Sequence, residues 1–190
     1  MQPINKIITQ ILCLNCWLST ENALKLVIIM LPKGNKELVR CWYEDVLSGG
    51  IKSRQYLSSS SLDMMDVDLG RMFASDYVNH VSPAPPGGWK TGVEAARQII
   101  KIYRFSSPDM TISILSQVEE GDLVASRYLV SGTHSAKSFF GVPATGLKYK
   151  VAGFGLERIE KGKIAESWGT WDSHALMEQM GILPETMQLA

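Results

Sequence analysis

At Ser106-Ser107-Pro108-Asp109 the hydrophobic period of the chain changes, and with it the kind of backbone that can bury the apolar residues. Before this point apolar side chains recur at helical spacing. Leu38, Trp42 and Val46 fall every four positions with Val39 and Tyr43 beside them, and Val93, Ala96, Ile100 and Tyr103 share a second face. After it, Met110, Ile112 and Ile114 alternate with Thr111 and Ser113, the period of a strand with one buried face. Gly121-Asp122 predicts a hairpin turn into a run from Leu123 to His134, and Lys161-Gly162 predicts another between residues 148–159 and 163–171. Helices followed by consecutive strands on short turns predict an α+β domain, its helices laid on an antiparallel sheet.

The connections are less regular. Gly49-Gly50 ends the first helix, and the Ser-rich segment 51–61 reads as an exposed inserted loop. Leu62, Met65, Leu69 and Met72 resume helical spacing and lead into Phe73-Ala74-Ser75-Asp76-Tyr77-Val78-Asn79-His80, read as a helix-to-loop segment before the Pro/Gly loop 83–89. At the start of the chain, two apolar runs, 7–18 and 23–31, flank a polar stretch around Glu21, and neither reaches the ~18 to 20 residues that span a bilayer. Lys6 ahead of the first run imitates a signal peptide, but no A-x-A-like cleavage site follows. Met30, just before a turn-like Leu31-Pro32-Lys33-Gly34-Asn35, suggests a start codon placed too early. The expected organisation is an extension at 1–34 and one domain at 35–190 with an inserted loop near 51–61.

Lys plus Arg and Asp plus Glu each number 19, so no global field draws the chain to nucleic acid or to an anionic membrane. Cys13, Cys16 and Cys41 are an odd set, which fits a reducing, cytoplasmic setting better than a secreted disulfide framework. Cys13-Leu14-Asn15-Cys16 lacks the second pair or histidine cluster of a zinc site, so no metal is expected.

Alternation sets which polar groups can meet. Val124, Ser126, Tyr128, Val130, Gly132 and His134 share one face of their strand; Tyr149, Val151, Gly153, Gly155 and Glu157 share another; Ile164, Glu166, Trp168, Thr170 and Asp172 a third. Glycines at 153 and 155 suggest a bend or room left for a ligand. On one concave wall, His134, Glu157, Trp168 and Asp172 would converge with His80.

Four segments together resemble the SnoaL-like polyketide cyclases, also called ester cyclases, of the nuclear-transport-factor-like cone folds. They are Asn35-Lys36-Glu37-Leu38-Val39-Arg40; Phe73 through His80; Gly132-Thr133-His134 with Phe140-Gly141-Val142-Pro143-Ala144-Thr145-Gly146; and Gly162-Lys163-Ile164-Ala165-Glu166-Ser167-Trp168 through Trp171-Asp172 to Pro184. The resemblance implies a strongly bent antiparallel sheet closed into a cone by N-terminal helices, commonly a homodimer, with the ligand in the cone. It also implies cofactor-free aldol cyclisation or isomerisation of a small hydrophobic carbonyl compound. A carbon flanked by two carbonyls is already acidic, so a base, an acid and a dry pocket can suffice. In such cyclases an Asp acts as acid/base near a histidine that resembles His134. Many relatives carry that Asp where this chain has Gly155, so Glu157 or Asp172 would substitute, giving His134, Glu157 and Asp172 as catalytic candidates and His80, Tyr128, Trp168 and Trp171 as ligand-binding ones. The missing carboxylate equally allows a non-catalytic binder, and the same cone hosts hydrolases.

Each candidate also has a structural reading. His80 could satisfy backbone groups, and Trp168 and Trp171 could be core or pocket wall. Asp172 is a preferred residue type for capping a helix at Ser173-His174-Ala175, and Glu157 beside Arg158 could be solvated.

Overall fold

A computed structural model of the chain describes residues 34–49, 69–82, 84–135 and 142–182. The chain divides into two compact units, Met1–Pro32 and Lys33–Ala190. The first, with Cys13, Cys16 and Met30, and the expected loop at 51–61 lie outside the described residues.

The described elements of the second unit run from helices to strands, with one strand between the helices and one helix after the last strand. Helix α1 (Asn35–Arg40) continues as a wider π-helical stretch, Cys41–Leu47, and buries Leu38, Val39, Trp42, Tyr43 and Val46. A short 3₁₀ turn, Leu69–Arg71, leads into β1 (Phe73–Asn79), and α2 spans Val93–Ser106. Then come β2 (Thr111–Glu120), β3 (Leu123–Thr133), β4 (Lys148–Glu160), β5 (Lys163–Trp171) and α3 (Ser173–Gln179). The sheet order is β1-β5-β4-β3-β2, with β1 parallel to β5 and every other pair antiparallel. The result is an α+β fold on a curved, open five-stranded sheet.

Both predicted hairpins form. At the second, Lys161 and Gly162 both have positive φ, 50° and 73°, the backbone twist that suits a two-residue hairpin. The segment expected to run from helix to loop is instead β1. Phe73, Tyr77 and Asn79 are buried and Val78 is exposed, so the residues do alternate, but across only seven positions and directly after the helical spacing of Leu69 and Met72.

Two extra residues bend the sheet. Leu115 bulges from β2, where the pairing passes from Ile114 with Tyr128 to Ser116 with Arg127. Ala165 bulges from β5, between Ile164 paired with Ile159 and Glu166 paired with Arg158. The second bulge corrects the expected face of β5. Because side chains alternate, one inserted residue turns Ser167, Gly169 and Trp171 toward the interior and Glu166 and Trp168 away from it.

Helix α1 and its extension cover the outer edge of β2. The Ile112 N–H donates to Ser48 Oγ at 2.7 Å and the Ile114 N–H to Glu44 Oε1 at 2.7 Å, so edge amides are satisfied by side chains rather than left to pair with another chain. Arg104 on α2 donates to the Ser48 and Met110 carbonyls, both at 3.1 Å, tying the end of this stretch to the point where the strands begin. Cys41 is a buried thiol in the core.

Candidate functional site

The concave side of the sheet, the π-helical stretch, α2 and α3 line a cavity. Its unfilled space, mouth included, is about 890 Å³. Its wall is dominated by aromatic and aliphatic side chains, among them Trp42, Tyr43, Tyr103, Tyr128, Tyr149 and Trp171. Such a wall suits a flat, largely apolar ligand.

At one end of the cavity, behind Tyr43, lies Glu157. It is fully buried, and its Oε1 accepts a 2.6 Å hydrogen bond from the Tyr43 hydroxyl. Burial penalises the carboxylate and pushes its pKa up to about 8, while the Tyr43 bond pulls the other way without compensating. The Tyr43 phenol is itself raised, first by burial and then by the nearby Glu157 charge. The two phenols Tyr43 and Tyr128 lie against each other with ring centroids 4.9 Å apart. Glu157 is therefore a carboxyl group that is mostly protonated at neutral pH and ionises near pH 8, hydrogen-bonded to a hydroxyl on the cavity wall.

The glycines at 153 and 155 make room for this arrangement, and not directly for a ligand. A Cβ at Gly153 would run into the Tyr128 ring. One at Gly155 would collide with the Tyr43 hydroxyl and lie 3.0 Å from Glu157 Oε1. Gly132 likewise faces Tyr149, whose hydroxyl would be 2.9 Å from an added Cβ. In each case a tyrosine occupies the space of the absent side chain.

Polar atoms also collect where β1, β5 and β4 meet. Ser167 pairs with Asn79 on one side and with Glu157 on the other, and Tyr77 precedes Asn79 on the same face. Asn79 Oδ1 accepts from the Val81 N–H at 3.2 Å, which directs the amide nitrogen the other way. That nitrogen, Ser167 Oγ, the Tyr77 hydroxyl and Glu157 Oε2 are all buried without a hydrogen-bond partner among the described residues. Ser167 lies close enough to the Tyr77 phenol to pull its pKa down against the larger effect of burial.

The candidates read from sequence separate into groups. Tyr128 and Trp171 line the cavity, and Glu157 stands behind its wall. His80 and Trp168 lie together on the other side of β5. Their rings stack with centroids 4.9 Å apart, His80 Nε2 is 2.9 Å from Glu166 Oε2, and Glu166 Oε1 accepts from Arg158 Nε at 2.8 Å. Asp172 caps α3, its Oδ1 accepting from the Ala175 N–H at 2.9 Å. His134 is fully buried beyond the far end of β3, its backbone bonded to Leu147 and Gly146 and its Nδ1 3.5 Å from Thr145 Oγ1. Val124, the partner of Glu157, is ten residues back along β3, about 33 Å on a straight strand, so His134 and Glu157 do not pair. Sequence reading passed over Tyr43, Tyr77, Asn79 and Ser167. A tyrosine on an otherwise apolar helix face was a usable signal for the first; the others depended on recognising β1 and the bulge. Among the described residues, no three His, Cys, Asp or Glu side chains gather as metal ligands would.

Solved structures share this fold. IdmH from Streptomyces antibioticus, described as a candidate polyketide cyclase, is 26% identical, with a TM-score of 0.55 over 77% of this chain and 97% of that one. TsrD from Streptomyces laurentii is 21% identical, with a TM-score of 0.58 over 88% and 100% of the two chains. A SnoaL-like polyketide cyclase candidate from Jannaschia sp. CCS1 is 18% identical, with a TM-score of 0.62 over 79% and 93%. No curated protein matches the chain. The SnoaL-like polyketide cyclase family matches residues 54–180, which take in all five strands and α2, and the chain belongs to that family.

Proposed function

We propose that this chain carries out cofactor-free acid/base chemistry, an aldol cyclisation or isomerisation, on a small hydrophobic carbonyl compound held in the cavity. The observation that carries this reading is the buried Glu157, poised near pH 8 and bonded at 2.6 Å to Tyr43 on the cavity wall. Where the family resemblance expects an Asp at position 155, the Glu157 carboxylate reaches the space beside that position from two residues along the strand.

The step balances without a cofactor. Tyr43 oxygen takes a proton from the carbon beside a carbonyl while its own proton passes to ionised Glu157. The electrons of the broken C–H bond move into the carbonyl, leaving an enolate and a neutral Glu157. In a cyclisation the enolate carbon then bonds to a second carbonyl carbon, and the new alkoxide recovers the proton from Glu157 through Tyr43. The aromatic wall keeps bulk water from competing.

A second reading, a non-catalytic binder, draws support from the mostly apolar wall and from the position of Tyr43 between Glu157 and the ligand space. Deuterium exchange into the α-carbon of β-tetralone, an enolisable aromatic ketone, separates the two. An enzyme accelerates exchange and Glu157→Gln abolishes the acceleration; a binder holds the ketone without exchanging it. For the homodimer expected from the resemblance, we propose the outer sheet face around Phe154, which is 56% exposed, with Leu156 and Trp168 beside it. Native mass spectrometry of Phe154→Glu reads that assembly.

A further inference from the structure

We propose that Asn79 and Ser167, with Tyr77 beside them, form the docking point for an acceptor oxygen of the ligand, a ketone or enolate oxygen, and so fix which way the ligand lies in the cavity. The inference rests on the reading of the cavity as the ligand site but not on turnover.

Three observations carry it. Asn79, Ser167 and Tyr77 all line the cavity and are buried, yet the Asn79 amide nitrogen, Ser167 Oγ and the Tyr77 hydroxyl have no hydrogen-bond partner among the described residues. Buried polar groups left unpaired cost about 1–3 kcal/mol each, so a cluster of them in a cavity wall marks where a ligand atom would be held. Next, these three side chains can each donate, beside Glu157 Oε2, which is likewise buried and unpaired. Asn79 Oδ1 is committed to the Val81 N–H, so this side chain offers only N–H, and the two hydroxyls can each donate. Donors converging on one spot select an acceptor, and an enolate oxygen more than a neutral one. Lastly, the cluster sits beside the proton-handling pair. Ser167 is the direct cross-strand partner of Glu157, and the Glu157 charge is felt at Tyr77. A carbonyl oxygen on Asn79 and Ser167 would place its α-carbon on the Tyr43 side of the cavity. The substrate class that fits is a flat apolar ketone with one oxygen anchored at this edge and its ring system among the aromatic residues.

The test is binding, measured by titration calorimetry, of β-tetralone and of tetralin, the same ring skeleton without the oxygen. Ser167→Ala should weaken β-tetralone about 2- to 10-fold and leave tetralin unchanged. Asn79→Asp, which keeps the acceptor for Val81 but replaces the donor, should weaken β-tetralone at least as much. Tyr77→Phe is a third variant of nearly unchanged shape, and tetralin binding checks that each variant keeps its cavity. The carbonyl stretch of bound β-tetralone should lie at higher frequency in Ser167→Ala than in the parent protein, as a hydrogen bond is lost. The proposal is overturned if the variants leave β-tetralone affinity and carbonyl frequency unchanged, if they weaken both ligands equally, or if the parent protein binds neither. Binding that depends on Ser167 and Asn79 but comes without α-exchange would leave this inference standing and remove the proposed reaction.

Discussion

Replacing Glu157 by Gln should change how stability depends on pH, and the size of the effect follows from burial. In the folded chain Glu157 titrates near 8, whereas in the unfolded chain it titrates at its ordinary value of 4.5. Between those values the folded protein holds a proton that the unfolded chain has lost. Stability from this group is therefore fully present below about pH 4.5 and is lost as pH climbs to about 8. At about 1.36 kcal/mol per pH unit the whole span amounts to about 5 kcal/mol, an upper bound that local relaxation and water entry would reduce. For a domain whose total stability is typically about 5–15 kcal/mol, this is a large share. Gln keeps the shape and can still accept the Tyr43 hydrogen bond, but does not titrate. Urea denaturation of both proteins from about pH 5 to pH 8.5 should show the parent losing stability relative to the variant with rising pH. Taking the difference cancels the contributions of the groups that both proteins share. A difference constant to within about 1 kcal/mol across that range would refute the burial argument.

Three further outcomes follow. Tyr43→Phe removes the hydrogen bond that lowers the Glu157 pKa, so the pH midpoint of this stability loss should move up, read by the same denaturation series. Gly155→Ala sets a methyl group against the Tyr43 hydroxyl and should cost about 1–3 kcal/mol, visible as a drop in Tm, whereas an open site would tolerate it. Asp172→Ala should cost about 1 kcal/mol through loss of the α3 cap, while α-exchange of β-tetralone is unchanged; a large loss of exchange would return Asp172 to the reacting groups.

Much of the fold was legible because it rests on local pattern. The change of period at 106–109, the hairpins at Gly121-Asp122 and Lys161-Gly162, and the shared faces of β3 and β4 all depend on neighbours in sequence. What escaped depends on partners far along the chain. β1 is seven residues long and pairs with β5, its sequence-distant parallel neighbour, so nothing nearby distinguished it from the end of a helix. The bulge at Ala165 is a matter of register against β4, and missing it placed Trp168 and Glu166 inside and left Ser167 out. Glu157 was placed on the correct face, but its burial could not be separated from solvation without knowing that Tyr43, 114 residues earlier, covers it. Gly153 and Gly155, read as a bend or as room left for a ligand, instead make room for tyrosines from other positions.

The most direct test of the central claim is the pH profile of α-proton exchange in β-tetralone, followed by NMR in deuterated buffer with the parent protein and Glu157→Gln. If Glu157 is the base, protein-catalysed exchange rises with pH and levels off above about pH 8, and Gln lowers it by about 10²- to 10⁴-fold. Exchange that is catalysed equally by Glu157→Gln, or a profile already level at about pH 5, would contradict the assignment.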